Sequence, residues 1–167
     1  MGSTPTIPTI FIYMRPLIIL FSVAFSVNIC NAEILVNQDC NKKVVSMINN
    51  SKNTIQIAVY SINENNIKQA IDNAKERGVV INIVSDKVQS SQKHHYCHNN
   101  DKCLSLRGRY GRGYMHHKFA IFDNQVAIMG SFNWTNGGSY VNSEDCVVID
   151  KKEDIAVLQG KFEGLLK

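Results

Sequence analysis

Six residues in the second half of the chain stand at spacings that could serve one reaction: His116, Lys118, Asp123, Ser131, Asn133 and Glu144. The pattern reads H-x-K-x4-D-x6-G-S-x-N, with Gly130 ahead of Ser131. In an extended strand, side chains alternate between faces, so His116 and Lys118 fall on one face and His117 on the other. An imidazole can attack phosphorus and carry the phosphoryl group covalently. A fixed ammonium beside it neutralises the non-bridging oxygens, and a hydroxyl and an amide can donate to the rest. These groups together suit cleavage of a phosphodiester. Asp123 is followed by Asn124, and that pair also fits a tight hairpin turn. Its part is therefore open at this level, between catalysis and turn geometry.

The elements that must position these residues follow from periodicity. A short strand is expected at 34–36 and a helix at 39–50, with Val44, Val45, Met47 and Ile48 as its apolar stripe. Residues 54–61 alternate as a strand. A helix at 65–77 places Ile67, Ala70, Ile71 and Ala74 at i, i+3, i+4, i+7 and stops at Gly78. The apolar run 79–85 fits a strand covered on both faces. Strand–helix–strand order predicts a right-handed parallel crossover. Residues 87–113 lack a period and read as a long loop with a short strand at 104–106. A hairpin is expected from strands 115–122 and 125–129, then a polar loop at 130–144 and a strand at 146–149. A final helix, 151–166, turns Ile155, Leu158, Phe162 and Leu165 inward. The expected architecture is α/β: a mixed β-sheet flanked by helices, forming a single domain over 33–167. It gathers His116, Lys118, Ser131 and Asn133 at one end of the sheet.

This pattern resembles the phospholipase D superfamily. His116, Lys118 and Asp123 match its HKD motif, and Gly130, Ser131 and Asn133 match the extended motif. Asn142-Ser143-Glu144 is similar to the family's downstream acidic position. The strand end Tyr60-Ser61, the 65–77 helix and Arg77-Gly78-Val79 leading to a strand that ends at Asp86 extend the resemblance over nearly all of 34–167. The resemblance implies a phospholipase D-like fold with one HKD half per chain. It also implies hydrolysis or transfer of phosphodiesters through a phosphohistidine, with no metal and no cofactor. One histidine attacks phosphorus and a second protonates the leaving oxygen. The chain holds one H-x-K, so a homodimer is expected to form one composite site with His116 from each copy. His116 would be nucleophile in one copy and acid in the other, and Lys118 would neutralise phosphoryl oxygens. Ser131 and Asn133 would hold oxygens or the lysine, and Glu144 would hydrogen-bond His116 and set its tautomer. His117 and Trp134 are expected to be structural.

The remaining composition narrows the class. The 167 residues are 44% hydrophobic and 19% charged, enough for a core and unlike a disordered tail. The net charge of +4 is unevenly placed. Between 87 and 118, seven Lys or Arg face one acid, Asp101. That basic segment, with Arg107, Arg109 and Arg112, runs into the catalytic strand and suits a phosphate backbone.

Residues 1–32 hold Arg15, an apolar run and a small residue at Ala32, the pattern of a cleaved export signal. Met14 is the expected true start, and the product is expected to be periplasmic or secreted. An uncleaved membrane anchor is the alternative. Loss of Cys30 with the signal leaves four cysteines, for which Cys97–Cys103 and Cys40–Cys146 are the favoured pairs. Zinc on Cys97 with His94, His95 and His98 is the minor alternative. The favoured substrate is nucleic acid, cut by a non-specific endonuclease. Phospholipid is the second choice, and an inactive nucleic-acid- or membrane-binding module the third.

Overall fold

The structure, a computed structural model, describes residues 32–167. The expected export signal therefore lies outside the described residues, Ala32 apart. The elements run β1 (Glu33–Val36), α1 (Gln38–Asn50), β2 (Thr54–Val59), α2 (Asn65–Glu76), β3 (Val80–Asp86) and α3 (Lys87–Ser90). They continue with β4 (Cys103–Leu106), β5 (Lys118–Phe122), β6 (Val126–Gly130), α4 (Asn136–Tyr140), β7 (Asp145–Ile149) and α5 (Lys152–Leu165).

Seven strands form one mixed sheet in the order β1-β7-β6-β5-β2-β3-β4. β2, β3 and β4 are parallel, and the neighbours from β2 through β5, β6 and β7 to β1 pair antiparallel. Strand alternation sorts the core onto two faces. Ile55, Ile57 and Val59 of β2, with Ala120 and Phe122 of β5, pack beneath Val44 and Ile48 of α1 and Ile67 and Ile71 of α2. Ala58, Val84, Phe119 and Ile121 face the other way, against Ile155 and Phe162 of α5. Each fully buried isoleucine contributes about 1.5–3 kcal/mol of transfer free energy. The result is the expected α/β architecture, a mixed sheet with helices on both faces. Among the described residues, no helix is long and apolar enough to cross a membrane.

Two disulfides staple the fold. Cys40 in α1 joins Cys146 in β7, and Cys97 joins Cys103 at the start of β4. The first ties a helix to the sheet across a sequence separation of 106; the second closes a turn inside the long connection between α3 and β4.

Three local expectations need correction. The hairpin strand begins at Lys118 rather than 115, because Met115 and its neighbours bond to loop and side-chain groups instead of a ladder. Tyr60 N–H still donates to His117 O at 2.9 Å, so the chain enters β5 extended. The segment 87–113 is less irregular than its composition suggests: it opens with α3, which Asp86 caps through the N–H groups of Val88 and Gln89. The polar segment 130–144 contains α4, capped by the Thr135 hydroxyl on Gly138 N–H. Short capped helices of this kind carry too few residues to show a period.

The strand directions decide where a site can form. β2, β3, β4 and β6 end, and β5 and β7 begin, along one edge of the sheet. Crevices outside the carboxyl ends of strands are where open α/β sheets take ligands.

Candidate active site

His116 and Lys118 meet at that edge. Lys118 Nζ lies 3.1 Å from His116 Nδ1 and donates to the His116 carbonyl at 3.0 Å. His116 is exposed and Lys118 half-buried. Burial and then the Lys118 charge push the His116 pKa below its ordinary value, while Asp86 pulls the other way. Burial lowers the Lys118 ammonium too, with Glu144 opposing. His116 thus favours the neutral imidazole, the form that has a lone pair to give.

Tyr60, just past β2, completes this cluster. Its ring centre is 4.7 Å from that of His116, and Lys118 Nζ stands 5.3 Å from it. Gln89 Nε2 donates to the Tyr60 hydroxyl at 2.9 Å, which fixes the ring from behind. Asp86 closes β3 beneath it; one oxygen caps α3 and the other accepts from Met115 N–H at 3.0 Å. The residue before His116 is therefore held by the end of β3, which lies beyond β2 in the sheet. Neither Tyr60 nor Asp86 was among the sequence-derived site residues. Each lies at or beside the end of a strand expected to finish at this edge, and that placement is the signal that could have found them.

Ser131 and Glu144 belong to the same edge but to a different partnership. The Ser131 hydroxyl donates to Glu144 Oε2 in a short hydrogen bond and accepts from Asp145 N–H at 3.1 Å. Glu144 Oε1 accepts from Asn142 Nδ2 at 3.0 Å. The expected hydrogen bond from Glu144 to His116 is absent among the described residues; Glu144 binds the ends of β6 and β7 together instead. Gly130 allows this, because a Cβ there would collide with the Asp145 carbonyl. Asn133 follows in a loop laced to the end of β2, where Trp134 N–H donates to Ser61 O and Trp134 O accepts from Glu64 N–H. The buried Asn133 Oδ1 has no hydrogen-bond partner among the described residues. Trp134 is core. His117 points away from the cluster, edge-on to Phe119 at 5.7 Å.

Asp123 is not brought to the cluster. It sits in the hairpin turn at the far end of β5, with φ near 50°, and Asn124 follows at 57°. Its carboxylate accepts from the N–H groups of Lys52, Asn53 and Thr54 at 2.7–2.9 Å. Partial burial pushes its pKa up, but those three donors outweigh it and hold the carboxyl below its ordinary value. Of the two parts the sequence left open, the geometry shows the turn.

The basic residues divide as well. Arg107, Arg109 and Arg112 occupy a hairpin between β4 and β5, where Arg107 bridges Tyr114. The Arg107 guanidinium lies 5.7 Å from the Tyr114 ring centre, and that ring is edge-on to Tyr60 at 5.8 Å. The zinc alternative fails on its ligands. Cys97 is disulfide-bonded, and the His95 ring nitrogens are engaged by Ile62 N–H, Ser85 Oγ and Cys97 N–H. Burial pushes the His95 pKa down to about 4, so it is a neutral packing residue. Among the described residues, no group of three or more His, Cys, Asp or Glu could hold a metal ion.

Comparison with known proteins agrees with this geometry. The family model described as cardiolipin synthase, PLD-like domain, matches residues 44–166. A mitochondrial cardiolipin hydrolase of Chlamydomonas reinhardtii is 29% identical over 127 residues, covering 74% of this chain and 56% of that protein. A phospholipase D of Rickettsia felis is 28% identical over 115 residues, covering 68% of this chain and 58% of its own length. The chain thus spans a little over half of these relatives. Among solved structures, NucT from Helicobacter pylori superposes with a TM-score of 0.73 at 24% identity, over 81% of this chain and 95% of that one. This last similarity speaks to the fold.

Proposed function

Starting from a chain that belongs to the phospholipase D-like family, we propose that it is a phosphodiesterase acting on nucleic acid as a non-specific endonuclease. The observation that carries the reading is the His116–Lys118 pair at the strand edge, flanked by the arginine-bearing hairpin 107–114. A lone pair on one His116 imidazole attacks phosphorus while the bond to the leaving oxygen breaks. Lys118 neutralises the equatorial oxygens as negative charge gathers on them. The leaving oxygen takes a proton from a second imidazole. Water then attacks the phosphohistidine, returns a proton to that second imidazole, and the P–N bond breaks.

The second imidazole is the constraint. His117 turns to Phe119 and His95 is engaged by Ile62 N–H, Ser85 Oγ and Cys97 N–H, so a second copy of this chain is the proposed source. A two-fold axis beside the pair would place His116 of each copy across one phosphodiester. The catalytic residues in this reading are His116 and Lys118. Ser131 and Glu144 brace the edge, and Arg107, Arg109 and Arg112 bind backbone phosphates. Export to the periplasm or beyond, by cleavage of the 1–32 segment, remains part of the proposal.

A second reading is hydrolysis of a phospholipid headgroup, which the names of the cardiolipin hydrolase and phospholipase D relatives favour. One experiment decides between them. The purified protein is given single-stranded DNA, duplex DNA, RNA and phosphatidylcholine or cardiolipin vesicles, with EDTA present. Cleavage of nucleic acid by a species that sediments as a dimer is expected. Lipid hydrolysis with nucleic acid intact reverses the choice of substrate, and full activity in a monomer removes the composite site.

A further inference from the structure

Residues 107–114 read Arg-Gly-Arg-Tyr-Gly-Arg-Gly-Tyr, with three arginines, two tyrosines and no acid. The segment folds back on itself. Arg107 and Tyr114 form an antiparallel bridge, and a Cβ at Gly108 would strike the backbone of Arg112 and Tyr114. Gly111 and Gly113 take positive φ, as does Tyr110 at 57°. Tyr110 lies near the tip, 97% exposed. Tyr114 is 57% exposed. Two large rings are thus offered to solvent on a basic hairpin, with no part in the core.

The rings are also continuous with the reacting group. Arg107 lies against Tyr114, Tyr114 is 5.8 Å from Tyr60, and Tyr60 is 4.7 Å from His116. A guanidinium and successive π-faces therefore line the route from the hairpin to the imidazole.

Resting on the nuclease reading above, we propose that the 107–114 hairpin is a base-stacking platform that makes single-stranded nucleic acid the preferred substrate. Tyr110 and Tyr114 take unpaired bases near the scissile phosphate, and Arg107, Arg109 and Arg112 take the backbone. Aromatic faces and cations together hold single strands with little regard to sequence, because every base has a π-face. In a duplex those faces are stacked on neighbouring bases and closed to the tyrosines. The hairpin does not suit a lipid surface: between 107 and 114 no aliphatic side chain is present to enter the acyl boundary.

The test uses the full mature protein and separates binding from cleavage. Binding is read by fluorescence anisotropy on His116→Ala protein, and cleavage on protein with His116 intact. The probes are a single-stranded oligonucleotide, the same strand in a duplex, an abasic strand with equal phosphates, and phosphatidylglycerol vesicles. Tyr110→Ala should weaken binding to the base-bearing strand by about 5- to 150-fold, the range of one lost base stack. It should leave the abasic strand unchanged, and Tyr110→Trp should restore the loss. Because Tyr110 is almost fully exposed, these variants keep the fold. No effect of Tyr110→Ala, an equal effect on the abasic strand, or an effect confined to vesicles overturns the platform. Base-dependent binding without cleavage of any nucleic acid leaves the platform standing and removes the nuclease reading instead.

Discussion

The carboxylate of Asp86, wholly buried at the end of β3, accepts the backbone N–H of Met115 at 3.0 Å. Its other oxygen accepts from Val88 and Gln89 at 2.9 and 3.2 Å. One side chain thus starts α3, closes the long excursion that follows β3, and pins the residue next to His116. Three backbone N–H groups thus satisfy the oxygens of this buried side chain. Asp86→Asn replaces one acceptor by a donor that faces another donor. A lost buried hydrogen bond with an orphaned partner costs about 1–3 kcal/mol. The urea midpoint should fall accordingly. The activity remaining per folded molecule should also titrate at lower pH, since the Asp86 charge raises the His116 pKa. Unchanged stability and an unchanged pH profile would take Asp86 out of this positioning role.

Lys118 and His116 should fail in different ways. In the proposed reaction His116→Ala removes the attacking atom, so turnover should vanish while circular dichroism and the melting transition persist, because His116 is exposed. Lys118→Met keeps the imidazole but strips the fixed cation from the developing oxyanion. Removal of one such group costs on the order of 100- to 1,000-fold in kcat. Single-turnover measurements on Lys118→Met should show slowed chemistry rather than slowed release. A wild-type chemical step in that variant would deny Lys118 its role.

The His116–Lys118 pair was legible from strand alternation alone, because period two survives even where the ladder does not. The sheet and its flanking helices followed from apolar spacing, while cysteine arithmetic left three connectivities and only the closeness of Cys97 and Cys103 in sequence favoured the pairs observed. Asp123 was not decidable, since Asp-Asn serves a turn and a catalytic motif equally well until the far ends of β5 are told apart. The partners of Glu144 were not legible either: its carboxylate takes the Ser131 hydroxyl and Asn142 Nδ2 from the flanking loop, contacts that its position in the sequence does not single out. Tyr60, Asp86 and Tyr114 act through contacts between strand ends distant in sequence, which periodicity does not report. The helices α3 and α4 are too short to carry a stripe.

The pH dependence of cleavage follows from the same pair. In the proposed reaction the attacking imidazole must be neutral, and the His116 pKa lies below its ordinary 6.5 through burial and the Lys118 charge. The acid limb of kcat/KM should therefore fall below pH 6.5, with activity rising as pH increases through it. In Lys118→Met the repelling charge is gone, so the residual activity should titrate at higher pH than wild type. An acid limb that stays put in Lys118→Met would mean that some other group controls it.

Asp123 offers the sharpest contrast between stability and chemistry. Its Oδ1 accepts from Asn53 and Thr54 and its Oδ2 from Lys52, at the end of β5 remote from His116. Asp123→Asn can keep the two Oδ1 contacts and loses the third with the charge, a cost of about 0.5–1.5 kcal/mol at this partly exposed site. Asp123→Ala loses all three, and places alanine at positive φ for roughly 1–2 kcal/mol more. The folded pKa lies below the unfolded one, so the stabilisation is complete above the ordinary value of 3.8 and is lost as pH falls through the folded value. Wild type should thus exceed Asp123→Asn in stability at pH 7, with the gap shrinking below about pH 4. Turnover per folded molecule should stay the same in both proteins. A large loss of kcat in Asp123→Asn at full folding would return Asp123 to the chemistry.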